Sequence, residues 1–125
     1  MDEARDAREL LPLTPLSLSI LVSLLDGERH GYAIIKELER QTGGRLVPGA
    51  GSLYAALQRM LDEGLIEESE GGADATADAR RRYYALTPFG REVARQEMLR
   101  LAELLRLASE KQLVPELLLV TRPAG

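Results

Sequence analysis

The stretch 49–66, GAGSLYAALQRMLDEGLI, constrains the fold more than any other part of the chain. Leu53, Leu57, Met60 and Leu61 recur at helical spacing and form one apolar stripe. At about 100° per residue, the opposite face carries Gly51, Ala55, Gln58, Arg59 and Asp62. Ser52 and Tyr54 flank the stripe. Gly64 stands where a helix ends with a residue at positive φ, and Leu65 and Ile66 open a new apolar segment. The pattern predicts a helix with one core face and an outer face of small residues near its N-terminus, then a sharp stop and a strand. Such a helix suits insertion into a groove. Periodicity reports burial rather than function, however, and an ordinary amphipathic helix would read the same way.

The 125 residues suit one domain, with room for a dimerisation appendage. The chain has no Cys, which excludes disulfides, thiolate chemistry and Cys-based zinc sites. Its one histidine, His30, cannot build a multi-His metal site. No apolar run reaches membrane-spanning length, and the acidic N-terminus lacks a signal-peptide pattern. The expected location is therefore the cytoplasm, and no cofactor is implied. An enzyme is excluded on chemistry. No nucleophile has a base near it in sequence, Ser52 lacks the G-x-S-x-G context, and no phosphate-binding glycine motif is present.

The net charge of −4 argues at first against nucleic acid, but the distribution matters more than the sum. Residues 65–79 carry five acids and no base, whereas residues 80–106 carry seven Arg against three Glu. Basic charge is densest at Arg80, Arg81 and Arg82.

Residues 1–9 are polar and expected to fray. Thr14-Pro15 reads as an N-cap with Pro at the first helical position. The helix that follows, through Leu25, is apolar around most of its circumference and needs covering on more than one side, by this chain or by a second subunit. Residues 26–29 read as a turn. A second helix opens at His30 and runs to about Thr42, with Tyr32, Ala33, Ile35 and Leu38 as its apolar positions and Ile34 beside them. His30 is expected to be structural, its hydrogen bond fixing the turn. Residues 65–69 are a strand candidate, 71–79 a hairpin tip, and 81–86 the returning strand. Tyr83 and Tyr84 lie on opposite faces of that strand, so one should enter the core and the other support the hairpin. Thr87-Pro88 caps a long last helix to about Gln112. There Ala94, Met98, Leu101, Leu105 and Ala108 repeat at coiled-coil spacing. The predicted fold is mainly α with a small β-hairpin: a winged helix-turn-helix over 10–87, a dimerisation helix over 88–112 and an apolar tail over 113–125.

Three blocks make the pattern recognisable: HGYAI at 30–34, GSLYAAL at 51–57 with EGLI at 63–66, and RYYALTPFG at 82–90. In this order and spacing the chain resembles the PadR family of transcriptional regulators, in its shorter subgroup, over about residues 10–112. The resemblance implies a dimeric winged-helix repressor whose last helix packs with the first helix of the partner subunit. Leu18, Leu21 and Leu25 of the first helix, with Ala94, Met98, Leu101, Leu105 and Ala108 of the last, are the expected dimerisation residues. The resemblance also implies double-stranded DNA as partner, with a small-molecule effector in some members. Drug-binding members use a Trp on the last helix, and this chain has none. Gly49 stands where the family often has Ser or Thr, so Ser52 could serve as the cap instead and shorten the helix.

On that frame the expected DNA-binding residues are Gly51, Ser52, Tyr54, Ala55, Gln58, Arg59, Arg80, Arg81 and Arg82. Gly51 and Ala55 let the helix approach the groove floor. Ser52 and Gln58 can bond base edges or phosphate, and Arg59 can reach the backbone. The Tyr54 ring can pack at the stripe edge while its hydroxyl reaches a phosphate; family members use this tyrosine at the DNA interface. Arg80, Arg81 and Arg82 would supply phosphate or minor-groove contacts, or be only a solvated charge run. The rival reading is a winged-helix module that binds another protein, which the acidic hairpin favours.

Overall fold

The computed structural model describes residues 6–70 and 82–115. Helix α1 is Pro15–Ser23, α2 is Gly31–Gln41, α3 is Ala50–Asp62 and α4 is Pro88–Glu110. The strands are β1, Arg29–His30; β2, Ile66–Ser69; and β3, Tyr83–Leu86. They form one antiparallel sheet in the order β1-β3-β2, with Arg29 opposite Tyr84 and Glu68 opposite Tyr84 on the other side. This is a mainly helical winged helix-turn-helix, as the sequence pattern predicts.

The caps explain the helix starts. Thr14 Oγ1 accepts from Ser17 N at 3.0 Å, and Thr87 Oγ1 accepts from Gly90 N at 2.9 Å, each just before a Pro that has no amide to satisfy. His30 Nδ1 accepts from Ala33 N at 3.2 Å, which gives the histidine its structural place. Helix α3 starts at Ala50 behind Gly49 with no side-chain cap bond, so Ser52 does not shorten it. Gly64, at φ 78°, ends it. Leu65 N donates to Met60 O and Gly64 N to Leu61 O, the paired bonds that satisfy the last carbonyls of a helix.

Ile20, Leu21, Leu24, Ile34, Leu38, Leu53, Leu57, Met60, Leu65, Ile66, Tyr84, Val93 and Ala94 form the core. Helix α1 packs against α2, α3 and α4 of its own chain, which supplies much of the cover its apolar circumference demands. Leu21 is completely buried there and Ala94 nearly so. These two residues, expected at a subunit interface, belong to the chain's own core. Leu25 is exposed and Leu18 half-buried, on the side of α1 that the described residues leave partly open.

Four further expectations change. Residues 29–30 form a strand rather than the end of a turn, and β3 is therefore the central strand. Both Tyr83 and Tyr84 are buried, Tyr84 within the hydrophobic core. The Tyr83 ring meets His30 edge-on at 5.3 Å between centroids. In α2 the inward stripe is Gly31, Ile34 and Leu38, while Tyr32 faces out at 62% exposure. Finally, Ala7–Leu10 is a 3-10 turn, with Ala7 buried, and it packs on α4. It is not a frayed end. The expected hairpin tip at 71–79, Arg80, Arg81 and the tail beyond 115 lie outside the described residues.

Helix α4 changes character along its length. Gly90, Val93, Ala94 and Glu97 are its buried positions, one helical face set against the core. Among the described residues none in 98–110 is buried. Met98, Leu99, Leu104 and Leu107 are exposed, and Leu101, Leu105 and Ala108 half-buried. No helix among the described residues is long and apolar enough to cross a membrane.

Candidate nucleic-acid interface

Helix α3 buries Leu53, Ala56, Leu57 and Met60 and packs Leu61 against the core, leaving its opposite face open. Gly51, Ser52, Tyr54, Ala55, Gln58 and Arg59 are all exposed, so six of the expected residues share one open surface. The first turn of that surface is low in profile, because Gly51 and Ala55 carry at most a methyl group. A methyl there can meet a thymine methyl in a major groove. Gln58 Nε2 is bonded to Asp62 Oδ1 at 3.0 Å, which leaves the amide oxygen of Gln58 as its outward acceptor. Arg59 Nη2 donates to Ser17 Oγ at 3.2 Å, a bond that ties the guanidinium to the first turn of α1.

Tyr54 is 47% exposed, and its ring crosses the start of α2. Sheet residues gather beside it. Burial pushes the Tyr84 hydroxyl above its usual pKa; the nearby Tyr54 phenol adds to this, and Arg82 opposes it through charge and a hydrogen bond. Arg82 Nη1 also pairs with Glu68 Oε2 at 3.3 Å across the hairpin. Both partners are largely solvated, so the pair is weak and exchangeable. At the base of the hairpin, Arg82 thus offsets one of the acids that would oppose phosphate. Glu67 and Glu70 remain exposed.

Two neighbouring groups escaped sequence reasoning. One is Arg29, which β1 holds beside β3; its Nε donates to Ser23 O at 2.7 Å and its Nη2 pairs with Glu37 at 3.7 Å. The other is the pair of Tyr32 and Lys36, whose ammonium stands 5.8 Å from the ring centroid. Their i, i+4 spacing was the available signal. Reading Tyr32 as an inward residue hid it.

The comparisons with known proteins agree with this geometry. The model of the Transcriptional regulator PadR-like family matches residues 20–96. The chain is 39% identical over 59 residues to the transcriptional regulator YqjI of Escherichia coli, covering 46% of this chain and 28% of that protein. It is 40% identical over 85 residues to an uncharacterized 37.1 kDa protein of a Streptomyces fradiae transposon, covering 68% of this chain and 22% of that one. The chain thus spans about a quarter or less of these two relatives. Among solved structures it resembles a transcriptional regulator from Clostridium thermocellum, with TM-score 0.62, 29% identity, and 77% of this chain and 87% of that one covered. It also resembles Bacillus subtilis PadR in complex with operator DNA, with TM-score 0.56, 25% identity, and 70% of this chain and 48% of that one covered. The family is one of transcriptional regulators and not of enzymes. With its three motif blocks set around one winged helix, the chain belongs to the PadR-like family.

Proposed function

We propose that the protein binds double-stranded DNA in the cytoplasm as a homodimer, with α3 in the major groove and the β2–β3 hairpin against the backbone. The observation that carries this reading is the exposed face of α3, polar and small-residued beside a base-bearing hairpin. Bacillus subtilis PadR, a structural neighbour, is itself seen with operator DNA. The second half of α4 supports the dimer. Met98, Leu101, Leu105 and Ala108, with Leu99, Leu104 and Leu107, form an apolar surface that the described residues leave exposed or half-buried, together with Leu18 and Leu25 of α1. Arg80 and Arg81 join Arg82 as proposed phosphate contacts.

A two-fold dimer presents two recognition helices to one side of a duplex. Its operator is then an inverted repeat with half-site centres about 10 base pairs apart, or a multiple of that. Occupying such a site near a promoter obstructs polymerase, so repression is the proposed sign of control. A small-molecule effector would bind in the dimer cleft beside α4, where Met98 and the leucines accept many shapes. The test is footprinting on DNA selected from a genomic library at low salt. A protected inverted repeat, lost on Tyr54→Ala with folding intact, supports the proposal. Protein that retains no DNA in that selection would move the reading to a protein-binding module, which the exposed Glu67, Glu68 and Glu70 would then serve.

A further inference from the structure

Gly31 is the first residue of α2 and is buried. The backbone there asks nothing special of a glycine, and alanine suits a first helical turn at least as well. What excludes a side chain is Tyr54. A Cβ placed on Gly31 would lie 2.1 Å from the Tyr54 hydroxyl oxygen, 2.7 Å from Cζ and 3.1 Å from Cε1. The ring of α3 therefore lies directly over the bare Cα of α2. We infer that Gly31 is a positioning residue for DNA binding: its missing side chain is the seat that holds the Tyr54 ring down and sets where its hydroxyl points. This rests on the proposed DNA role of Tyr54.

The direction of the effect follows from what surrounds the ring. Tyr84 of β3 stands close enough for the two phenols to interact, and Tyr84 is itself buried. A ring pushed off Gly31 cannot retreat into the core, so it must swing toward solvent, where it is already 47% exposed. That is the side on which Gly51 and Ala55 keep α3 low. A methyl group at residue 31 would thus do two things. It would move the hydroxyl by more than an ångström or so, enough to break a hydrogen bond of ordinary length. It would also raise an aromatic obstacle on the surface that has to approach the groove.

The fold itself has no reason to yield. The atoms in the way are the free end of a half-exposed side chain, unlike Gly90, where a Cβ would strike the Leu65 carbonyl oxygen at 1.9 Å. Replacing a helical glycine by alanine in a compatible conformation also reduces the entropy lost on folding. Gly31→Ala should therefore melt at the same temperature as the natural protein or above it, and still bind DNA less well. A glycine that serves only the fold would give the opposite result.

The experiment is a double-mutant cycle on the full chain with Gly31→Ala, Tyr54→Ala and both together. Affinity is measured for a duplex recovered by genomic selection, at one fixed salt concentration, alongside thermal melts. Each single variant is expected to bind about tenfold more weakly, the effect of one lost hydrogen bond to a charged acceptor. The double variant should match Tyr54→Ala, because Gly31 acts only through the ring. Fluorine NMR of 3-fluorotyrosine-labelled protein should show the Tyr54 signal, assigned by its loss in Tyr54→Phe, displaced by Gly31→Ala, with a smaller shift at its neighbour Tyr84. Full affinity in Gly31→Ala, with Tyr54→Ala weakened, would overturn the inference and leave the DNA reading standing. Full affinity in Tyr54→Ala would overturn the DNA role of Tyr54, and the inference with it. An equal further loss when Gly31→Ala is added to Tyr54→Ala, an unmoved Tyr54 signal, or unfolding of Gly31→Ala would each refute the seat.

Discussion

Glu97 gives the sharpest test of how α4 is anchored. It is 1% exposed, yet charged. Its Oε1 accepts from Arg100 Nε at 2.6 Å, and its Oε2 from Arg100 Nη2 and from Leu13 N, both at 3.0 Å. The carboxylate therefore clips the segment before α1 onto α4 at the point where α4 leaves the core. Glu97→Ala leaves a part-buried Leu13 amide without its acceptor, at about 1–3 kcal/mol, and leaves a small void besides. We expect a total near 3 kcal/mol, or a fall in Tm of roughly 10–20 °C for a domain of this size. Glu97→Gln keeps the volume and one acceptor but loses the charge, and should cost about 1–2 kcal/mol. The pH dependence separates the charge from the shape. The Arg100 hydrogen bond holds the Glu97 carboxyl below the usual carboxylate range; burial opposes this, and the Leu13 amide adds to it. A carboxyl depressed in the folded state contributes stability that is fully present above its unfolded pKa of about 4.3 and lost as pH falls through the folded value. The Tm gap between the natural protein and Glu97→Gln should therefore be constant from about pH 7 to 5 and narrow below about 4. Glu37, Glu92 and Glu103 are also held low by neighbouring hydrogen-bond donors, but both proteins share them and they cancel in the difference. Calorimetry at fixed protein concentration reads the gap. A gap that persists unchanged to pH 3, or widens, would refute a charged anchor.

Leu101→Glu should turn the proposed dimer into monomer in sedimentation velocity without loss of helical circular dichroism; a well-folded natural protein that sediments as a monomer at micromolar concentration would refute the α4 interface. Arg82→Ala should weaken binding to all DNA sequences alike and reduce the slope of log affinity on log salt by about one unit, whereas Glu68→Gln, which releases Arg82 from its pair, should raise affinity about two- to threefold at low salt. Unchanged slopes in both would take the hairpin base out of the interface. Gly90→Ala should destabilise by about 2 kcal/mol or more in urea titrations, since the added methyl meets backbone and not a movable side chain; an unchanged midpoint would show that α4 can shift freely.

Much of this architecture was legible because local chemistry and tertiary packing agree. Thr14-Pro15 and Thr87-Pro88 cap their helices as any Thr-Pro pair ahead of an apolar run should, and Gly64 stops α3 by the bonds its position implies. The two faces of α3 followed from spacing alone. What could not be read is what depends on a partner far away in sequence. A two-residue strand such as β1 has no periodicity of its own; it exists because Tyr83 and Tyr84 pair with it. Once β1 is absent from a reading, the His30 ring that meets Tyr83 is missing too, and alternation leaves only one of the two tyrosines a core to enter. Leu21 and Ala94 fit a heptad and an apolar helix equally well, and only the packing of α1 on α2, α3 and α4 decides that they look inward. Residues 1–9 look polar because Met1, Ala4 and Ala7 are their only apolar residues, but the segment runs on into Leu10, Leu11 and Leu13, which pack against the core. Glu97, through its bond to Leu13 N, is what gives that segment a fixed place.

Leu65 then acquires a significance that no single motif shows. Its amide closes the end of α3 on Met60 O at 3.0 Å. Its carbonyl accepts from Thr87 N and Thr87 Oγ1, both at 3.1 Å, while Thr87 Oγ1 also reaches Gly64 O at 2.6 Å. Gly90 lets the first turn of α4 press against that same carbonyl. The turn that ends α3 and the N-cap of α4 are thereby joined through the Leu65 peptide. In the proposed dimer the second half of α4 sets the distance between protomers, so the spacing of the two α3 helices is fixed by the same rigid corner. A ligand that changed how two α4 helices pack would move both α3 helices relative to the operator by a comparable amount. Half-site spacing tolerates little of that, because each helix must meet its own groove. A device of this kind would need no unfolding and no hinge: it would convert a change at residues 98–110 into a mismatch at residues 51–59.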